Sequence, residues 1–256
     1  MMRRIAWMFA SLAFLAAMFF AWKLVADARL VNPMFLPGPG RAFSSLHGWM
    51  VTGELWEPLG KTVWRMFAGW IAASMLGVLL GAAIASSNRA HELFSPSAEF
   101  LRPLPASAVL PPAVLLLGLT DTMIVSVIVF GAIWPILLGA IHGFRAIDPR
   151  LVDVARMLGF SPIERVFKFQ LPNALPEIFA GMRVSLALAL ILAVVAEMLS
   201  SQPGLGHMIL VAARAFRSAD IFAGIFVLGA LGFLTNSVMQ YVEEYLLRWR
   251  PAHDGG

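Results

Sequence analysis

The acidic residue Glu197 stands inside a long apolar run of the sequence, residues 179–199. A charged side chain is costly within lipid, so such a residue usually faces a water-filled pathway or a partner inside the protein. Two interpretations of Glu197 are therefore open. It is a pathway or gate residue, or it is a structural carboxylate that pairs with Arg214, with Arg217 or with backbone donors.

A second unusual stretch, residues 102–118, is apolar but contains the prolines at 103, 105, 111 and 112. Each proline removes a backbone donor and clashes with the preceding turn, so we expect a kinked or broken helix. Backbone freed in this way is tolerated at membrane depth only where protein or a cavity satisfies it. Pro111 and Pro112 are therefore candidate pathway residues, and a kink that merely shapes the helix bundle is the alternative.

The sequence carries no pattern of an enzyme active site. The phosphate loop Gly-x-x-x-x-Gly-Lys-Ser/Thr is absent, as are His-Glu-x-x-His and Gly-x-Ser-x-Gly. The five histidines show no metal-ligand spacing, and the absence of cysteine rules out thiolate sites and disulfides. We predict a chain that is not an enzyme by itself and binds neither a metal nor a cofactor of its own.

The composition indicates a membrane protein. Hydrophobic residues make up 59% of the 256-residue chain and charged residues only 13%, against about 25% in soluble domains. The net charge of +4 does not indicate a nucleic-acid partner, because no basic cluster is interleaved with aromatic residues. The first partner that the sequence predicts is therefore the lipid bilayer.

Six apolar segments are long enough to cross that bilayer, which requires about 20 residues in a helix. They are residues 5–25, 63–85, 102–118, 123–141, 179–199 and 221–241. Residues 86–102 are predicted to be a polar loop. The first segment could instead be a cleaved signal peptide, because Ala26-Asp27-Ala28 fits a cleavage site, but its length favours a retained span.

The positive charges predict the orientation of these spans. Most of the 19 Lys and Arg residues lie in segments on the same side as the two termini. Cytoplasmic loops carry an excess of such residues. We therefore expect both termini and the long segment between the fourth and fifth spans to be cytoplasmic.

That long polar segment, residues 147–177, contains signals for two short helices. Asp148 is suited to cap a helix that has Pro149 at its first position, and Gly159 is suited to end it. Ser161 and Glu164 form a capping box that starts a second helix. A helical hairpin with one apolar face, placed between membrane spans, requires a partner to cover that face.

The same segment resembles the "EAA" loop of bacterial ABC-importer permeases. That pattern is Glu-Ala-Ala, three residues, Gly, nine residues, Ile-x-Leu-Pro, and the spacing here is identical. Three positions differ but keep their charge or apolar character, namely Asp153, Val154 and Phe169. The coupling residues that the resemblance implies are Asp153, Val154, Ala155, Leu158, Gly159, Leu171 and Pro172.

In that family the loop forms coupling helices that dock on the ATP-hydrolysing subunit. The resemblance implies that Asp153 makes a charged contact with this subunit. It also implies that Ala155 and Leu158 form an apolar docking face and that Gly159 makes the turn. ATP would then be bound by the partner subunit and not by this chain.

The resemblance covers residues 59–249. In detail the sequence is similar to permeases of the nitrate, sulfonate and taurine type, and the Ala-Glu pair before Gly204-Leu-Gly206 is one of the shared features. It implies an all-α membrane protein with six transmembrane helices, like a type I ABC importer. The implied parts are an N-terminal helix with a periplasmic segment (1–58), a permease domain (59–245) and a cytoplasmic tail (246–256).

The family also implies partners and a location. These are a second permease copy, two ATPase subunits and a periplasmic substrate-binding protein, in the bacterial inner membrane. The transported solute would be small and anionic. A stand-alone ion-coupled carrier or channel is the alternative, although the two halves of the chain do not resemble each other as they often do in carriers. A purely structural scaffold would leave the loop unexplained.

Overall fold

The computed structural model describes residues 2–248, without the side chains of residues 2–9, 12 and 149. Every regular element among the described residues is helical. The α-helices are α1 Met2–Asp27, α2 Pro39–Thr52, α3 Trp56–Ala85, α4 Asn88–Leu101, α5 Leu110–Leu117, α6 Asp121–Arg145, α7 Pro149–Met157, α8 Pro162–Arg165, α9 Leu171–Ser200, α10 Leu205–Arg214 and α11 Ser218–Leu246. The boundary predicted at residue 58 falls in the first turn of α3, and the predicted tail beyond residue 248 lies outside the described residues.

The core is formed where α6 packs between α3 and α9. Its fully buried side chains include Met66 of α3 and Ile128 and Ile136 of α6. Small residues let these helices approach closely, since a Cβ atom on Gly81 would overlap Ala140. Glycine at this position of α3 therefore serves close packing within the bundle.

Four described helices are long and apolar enough to cross a membrane, namely α3, α6, α9 with its preceding turns, and α11. Helix α4 and the segment Ala106–Leu117 form a bent pair, which would make a fifth span if the two are counted together. Helix α1 occupies the predicted first span, and its Trp22 stacks on Phe222 and donates to the carbonyl of Pro37 at 3.1 Å. The prediction of six spans goes beyond this count and stays a prediction.

The prediction of a polar loop at residues 86–102 is wrong, because most of this segment forms helix α4. Its charged residues were taken as loop signals, whereas they lie on an amphipathic helix that buries Ala98. A short 3₁₀ turn, Ala106–Val109, leads into α5. Helix α4 and the segment formed by this turn and α5 are bent by 86° relative to each other. The proline-rich segment is therefore the broken helix that its sequence predicts.

The polar segment after α6 folds into a hairpin, which comprises residues 148–170. Asp148 accepts from the backbone N–H of Arg150 at 2.9 Å, the Ser161–Glu164 capping box is complete, and Gly159 has a left-handed φ of 79°. These predicted caps are confirmed. The second helix is not separate, however, because it runs through a π turn, Val166–Gln170, directly into α9. Pro172 lacks an N–H, and the wider turn accommodates this missing donor.

The segment before α3 also contains a helix that the sequence reading did not predict. Trp49 of α2 is buried with Leu55, with Leu205 of α10 and with Ala223 of α11. One face of α10 is likewise buried, so this short helix packs into the bundle beside α9 and α11. These contacts place α2 and α10 at the same end of the molecule, beside the last turn of α9.

Candidate functional site

Four polar side chains meet at one end of the bundle, where α3 and α6 begin and α9 ends. They are Thr62 and Arg65 of α3, Asp121 of α6 and Glu197 of α9, and we call them the ion-pair network. Glu197 is 0% exposed and Arg65 only 2%. A buried charge of this kind requires both an opposite charge and further hydrogen bonds.

Arg65 uses all three of its guanidinium nitrogens. Nη1 donates to Glu197 Oε1 at 2.9 Å and to the carbonyl oxygen of Pro203 at 2.7 Å. Nε and Nη2 both donate to Asp121 Oδ1, at 2.8 and 2.6 Å. The side chain of Asp121 is 63% exposed, so the network extends from the interior of the bundle to its surface.

Glu197 is held by two further groups. Thr62 Oγ1 lies 2.9 and 3.0 Å from its two carboxylate oxygens, and the backbone N–H of Gly206 donates to Oε2 at 3.0 Å. Thr62 Oγ1 in turn accepts from the N–H of Leu205 at 2.9 Å. The loop that leads into α10 is therefore fixed through its backbone to α3 and α9.

The two glycines of this loop are needed for close approach. A Cβ atom at Gly204 would overlap the Glu197 carboxylate, and one at Gly206 would overlap the carbonyl oxygen of Val194. Gly204 has an extended φ of 169°, which any residue adopts, so the requirement comes from space and not from backbone conformation. The Gly-Leu-Gly sequence thus allows the loop to lie directly on the carboxylate.

This geometry shows which partners Glu197 has. Its predicted pairing with backbone donors is confirmed by Gly206, but the predicted partners Arg214 and Arg217 are wrong. The cation is Arg65, and sequence reasoning missed it together with Thr62 and Asp121. One signal was present: Arg65 lies near the end of one apolar span, as Glu197 does in another, and two opposite charges at one depth can pair.

Of the two predicted prolines, Pro111 lies in a cleft beside the end of α9. Pro111 lines a cleft of ≈ 490 Å³ between α5 and the end of α9, where Leu199 and Ser200 form the opposite wall. Pro112, the next residue, is exposed and is not part of the cleft lining. Leu199 and Ser200 follow Glu197 by two and three residues in α9, so the cleft lies beside the end of α9 that carries the network.

The hairpin lies at the other end of α6 and α9, which we call the hairpin end; the end with the network is the outer end. Leu171 and Glu197 are separated by the length of α9, about 39 Å at 1.5 Å per residue. The exposed apolar side chains of the hairpin include Leu151, Val154, Met157, Leu158 and Ile163.

The predicted site residues of the hairpin differ in their surroundings. Ala155 is 0% exposed, so it packs within the chain and not on the exposed face. Asp153 pairs with Arg156 at 3.1 Å, and both side chains are exposed. Leu171 and Pro172 are half-buried where the π turn joins α9.

An apolar helical bundle with a broken span, a capped polar hairpin at one end and a buried ion-pair network at the other defines a helical membrane transport subunit. The solved structures that it resembles have this fold. Inward-facing conformations of the MetNI methionine ABC transporter superpose with a TM-score of 0.60 at 20% identity, over 79% of this chain and 96% of that chain. An amino acid ABC transporter structure gives 0.61 at 16% identity, over 80% and 98%.

The chain belongs to the family of binding-protein-dependent transport system inner membrane components, which it matches over residues 73–248. It is therefore a permease component of an ABC importer. A putative aliphatic sulfonates transport permease, SsuC of Bacillus subtilis, is 32% identical over 91% of this chain and 85% of its own. The taurine permease TauC of Escherichia coli is 29% identical (93% and 89%), and the bicarbonate permease CmpB of Synechocystis is 26% identical (88% and 84%).

Proposed function

We propose that this chain moves a small solute bearing an oxyanion group from the periplasm to the cytoplasm by alternating access. Two copies of it would assemble with two cytosolic ATPase subunits and a periplasmic binding protein. Both termini and the hairpin would be cytoplasmic, and ATP would be bound and hydrolysed by the partner. The proposal rests above all on the hairpin.

The hairpin exposes several large apolar side chains. Met157 is 79% exposed, Ile163 71% and Leu158 68%. Burying one such side chain fully contributes about 1.5–3 kcal/mol, so a partner that covers this face gains substantial stabilisation. The capped helix ends and the turn at Gly159 hold the face in one shape before docking, which lowers the cost of binding.

The relatives support the class of solute. Aliphatic sulfonates, taurine and bicarbonate, which appear in the names of the related permeases, each carry a small oxyanion group. We therefore propose an oxyanion-bearing solute for this chain, with uptake of taurine, an alkanesulfonate and bicarbonate as the first comparisons.

The connection between hairpin and α9 provides a mechanism. The chain runs from α8 through the π turn into α9 as one helical unit, so movement of a docked hairpin displaces α9 as well. At the outer end the ion-pair network joins α9 to α3, α6 and the start of α10. Opening that end would require the network to move as a unit or to separate, and the half-exposed Arg65–Asp121 contact is the part that water already reaches.

Charge reversal at Asp153 tests the docking. We expect Asp153→Arg and Gly159→Pro to abolish ATP hydrolysis stimulated by the binding protein and solute uptake in proteoliposomes, because one changes the charged contact and the other the turn. Glu92→Arg, an exposed carboxylate on α4, is the matched control and should behave like the wild type. Unchanged stimulated hydrolysis and uptake in both hairpin variants would overturn the proposal.

The alternative of a stand-alone ion-coupled carrier is less well supported. Such a carrier needs an ionisable group that exchanges ions with water. Glu197 is fully buried and is held by Arg65, Thr62 and Gly206. The hydrogen-bond partners of Glu197 and the family membership of the chain both favour the importer.

A further inference from the structure

A pocket of ≈ 290 Å³ opens at the outer end of the bundle, directly above the ion-pair network. We call it the outer pocket. Its walls include Glu54, Glu57, His207 and Arg217, and Pro203 and Gly204 form part of its lining. The same two residues belong to the loop whose backbone is bonded to Arg65 and covers Glu197.

The outer pocket carries one carboxylate without a counter-charge. Glu57 pairs with Lys61 at 2.6 Å, and Arg217 pairs with Asp220 at 3.2 Å. Glu54 makes no ion pair with any residue that the structure describes. A cation entering the pocket would therefore meet one uncompensated negative charge.

A second polar group in the wall is also unsatisfied. Nδ1 of His207 is buried and has no hydrogen-bond partner among the described residues. Buried polar atoms are normally paired with protein, water or a ligand. Because this atom is shielded from solvent, the unpaired group that an occupant can reach is Glu54.

We propose that the outer pocket receives a basic side chain, Lys or Arg, of the periplasmic binding protein, with Glu54 as its counter-charge. This inference rests on the proposed function, because it requires the outer end to face the periplasm, opposite the hairpin. The family itself is described as binding-protein-dependent. A charge-complementary contact at the rim of an interface mainly provides specificity and fast association.

Docking in this pocket would reach the buried network through the loop. The occupant contacts Pro203 and Gly204 from above, while the carbonyl of Pro203 accepts from Arg65 below. The next two N–H groups of the loop, those of Leu205 and Gly206, donate to Thr62 and Glu197. A shift of the loop backbone therefore alters the bonds that join α3 to α9.

Binding measurements on the complete complex test the pocket. The probe is the binding protein that co-purifies with the wild-type complex, added to nanodiscs that contain the permease and ATPase. We expect Glu54→Lys to raise the Kd on the order of tenfold and Glu54→Gln about threefold. Added salt should weaken wild-type binding more than binding to Glu54→Gln.

The matched control is Glu92→Lys, an exposed carboxylate on α4 outside the outer pocket, which should leave the Kd unchanged. If Glu54→Lys binds as tightly as the wild type, the assignment of the pocket is wrong. If neither the ATPase nor a binding protein accompanies the wild-type permease, it is the proposed function that fails.

Hydrogen exchange tests the second part of the inference. We expect docking to change the exchange rates of the Leu205 and Gly206 amides in the wild type, and to change them far less in Glu54→Lys at the same occupancy. Wild-type rates that do not respond to docking would contradict transmission through the loop.

Discussion

Arg65 has all of its hydrogen-bonding nitrogens engaged, although it is almost completely buried. It bonds to two carboxylates and one carbonyl, which compensates for the loss of water around the guanidinium. The complete network costs little free energy of folding, whereas a network that lacks one member leaves a buried charge without a partner and is strongly destabilising.

Removal of the carboxylate at Glu197 should therefore be severe. We expect Glu197→Ala to lower the stability of the folded permease by about 3–5 kcal/mol, since Arg65 keeps its charge and loses its buried partner. Thermal unfolding in detergent, followed by tryptophan fluorescence, measures this loss. The double variant Arg65→Met/Glu197→Leu should be more stable than Glu197→Ala, and a double variant that is no better would contradict the pairing.

A methyl group at Gly204 should also disturb the network. We expect Gly204→Ala to destabilise the protein by about 1–3 kcal/mol, because its Cβ overlaps the Glu197 carboxylate. Gly60→Ala in α3 is the control, since nothing lies within 4 Å of a Cβ there. Helix propensity should make that control neutral or slightly stabilising. Equal unfolding temperatures for the two variants would argue against the close approach of the loop.

The helices α6 and α9 cross with their backbones in contact. A Cβ atom on Gly139 would overlap the carbonyl oxygen of Glu177, and one on Gly181 would overlap that of Pro135. Small residues at such crossings allow close van der Waals packing, which is a main source of stability between helices in lipid. The crossing fixes the relative position of the two helices that join the hairpin to the ion-pair network.

Widening this crossing should weaken the bundle. We expect Gly181→Ala to lower stability and the yield of folded permease, because the backbone of α6 cannot move aside without disturbing the core. Gly229→Ala in α11 has open space around the new Cβ and serves as the control. Size-exclusion profiles after mild heating compare the two, and a Gly181→Ala profile that matches the control would contradict tight packing.

Several elements could be predicted from the sequence because their signals are local. The cap at Asp148, the turn at Gly159 and the capping box of Ser161 depend on residues within a few positions of each other. The pairing of Glu197 with Arg65 joins residues 132 positions apart and depends on how α3 packs against α9. Helix α4 was missed because its amphipathic pattern is rich in charged residues that also occur in loops.

At the scale of the whole molecule, the outer end is closed by contacts of unequal exposure. The Arg65–Glu197 pair is buried, whereas the Arg65–Asp121 pair reaches the surface. The structural change from the inward-open to the outward-open form should therefore begin with loss of the Arg65–Asp121 contact. A ligand or a variant shifts such an equilibrium only by its difference in free energy between the two forms.

Weakening this exposed contact should favour opening of the outer end. We expect Asp121→Asn to raise ATP hydrolysis in the absence of the binding protein about two- to fivefold, since a partly exposed pair contributes up to about 1 kcal/mol. The measurement uses the reconstituted permease–ATPase complex, with Asp148→Asn at the hairpin end as a control for a lost carboxylate. Basal hydrolysis that does not rise in Asp121→Asn would show that this contact does not restrain opening.

Energised uptake by the purified assembly is the most direct test of the proposed import. The permease, the ATPase that co-purifies with it and the binding protein are placed in proteoliposomes, and uptake of labelled taurine, an alkanesulfonate and bicarbonate is followed with and without ATP. We expect accumulation of at least one of these solutes that requires ATP hydrolysis and is lost in Asp153→Arg. A chain that purifies without an ATPase and still transports solute without ATP would contradict it.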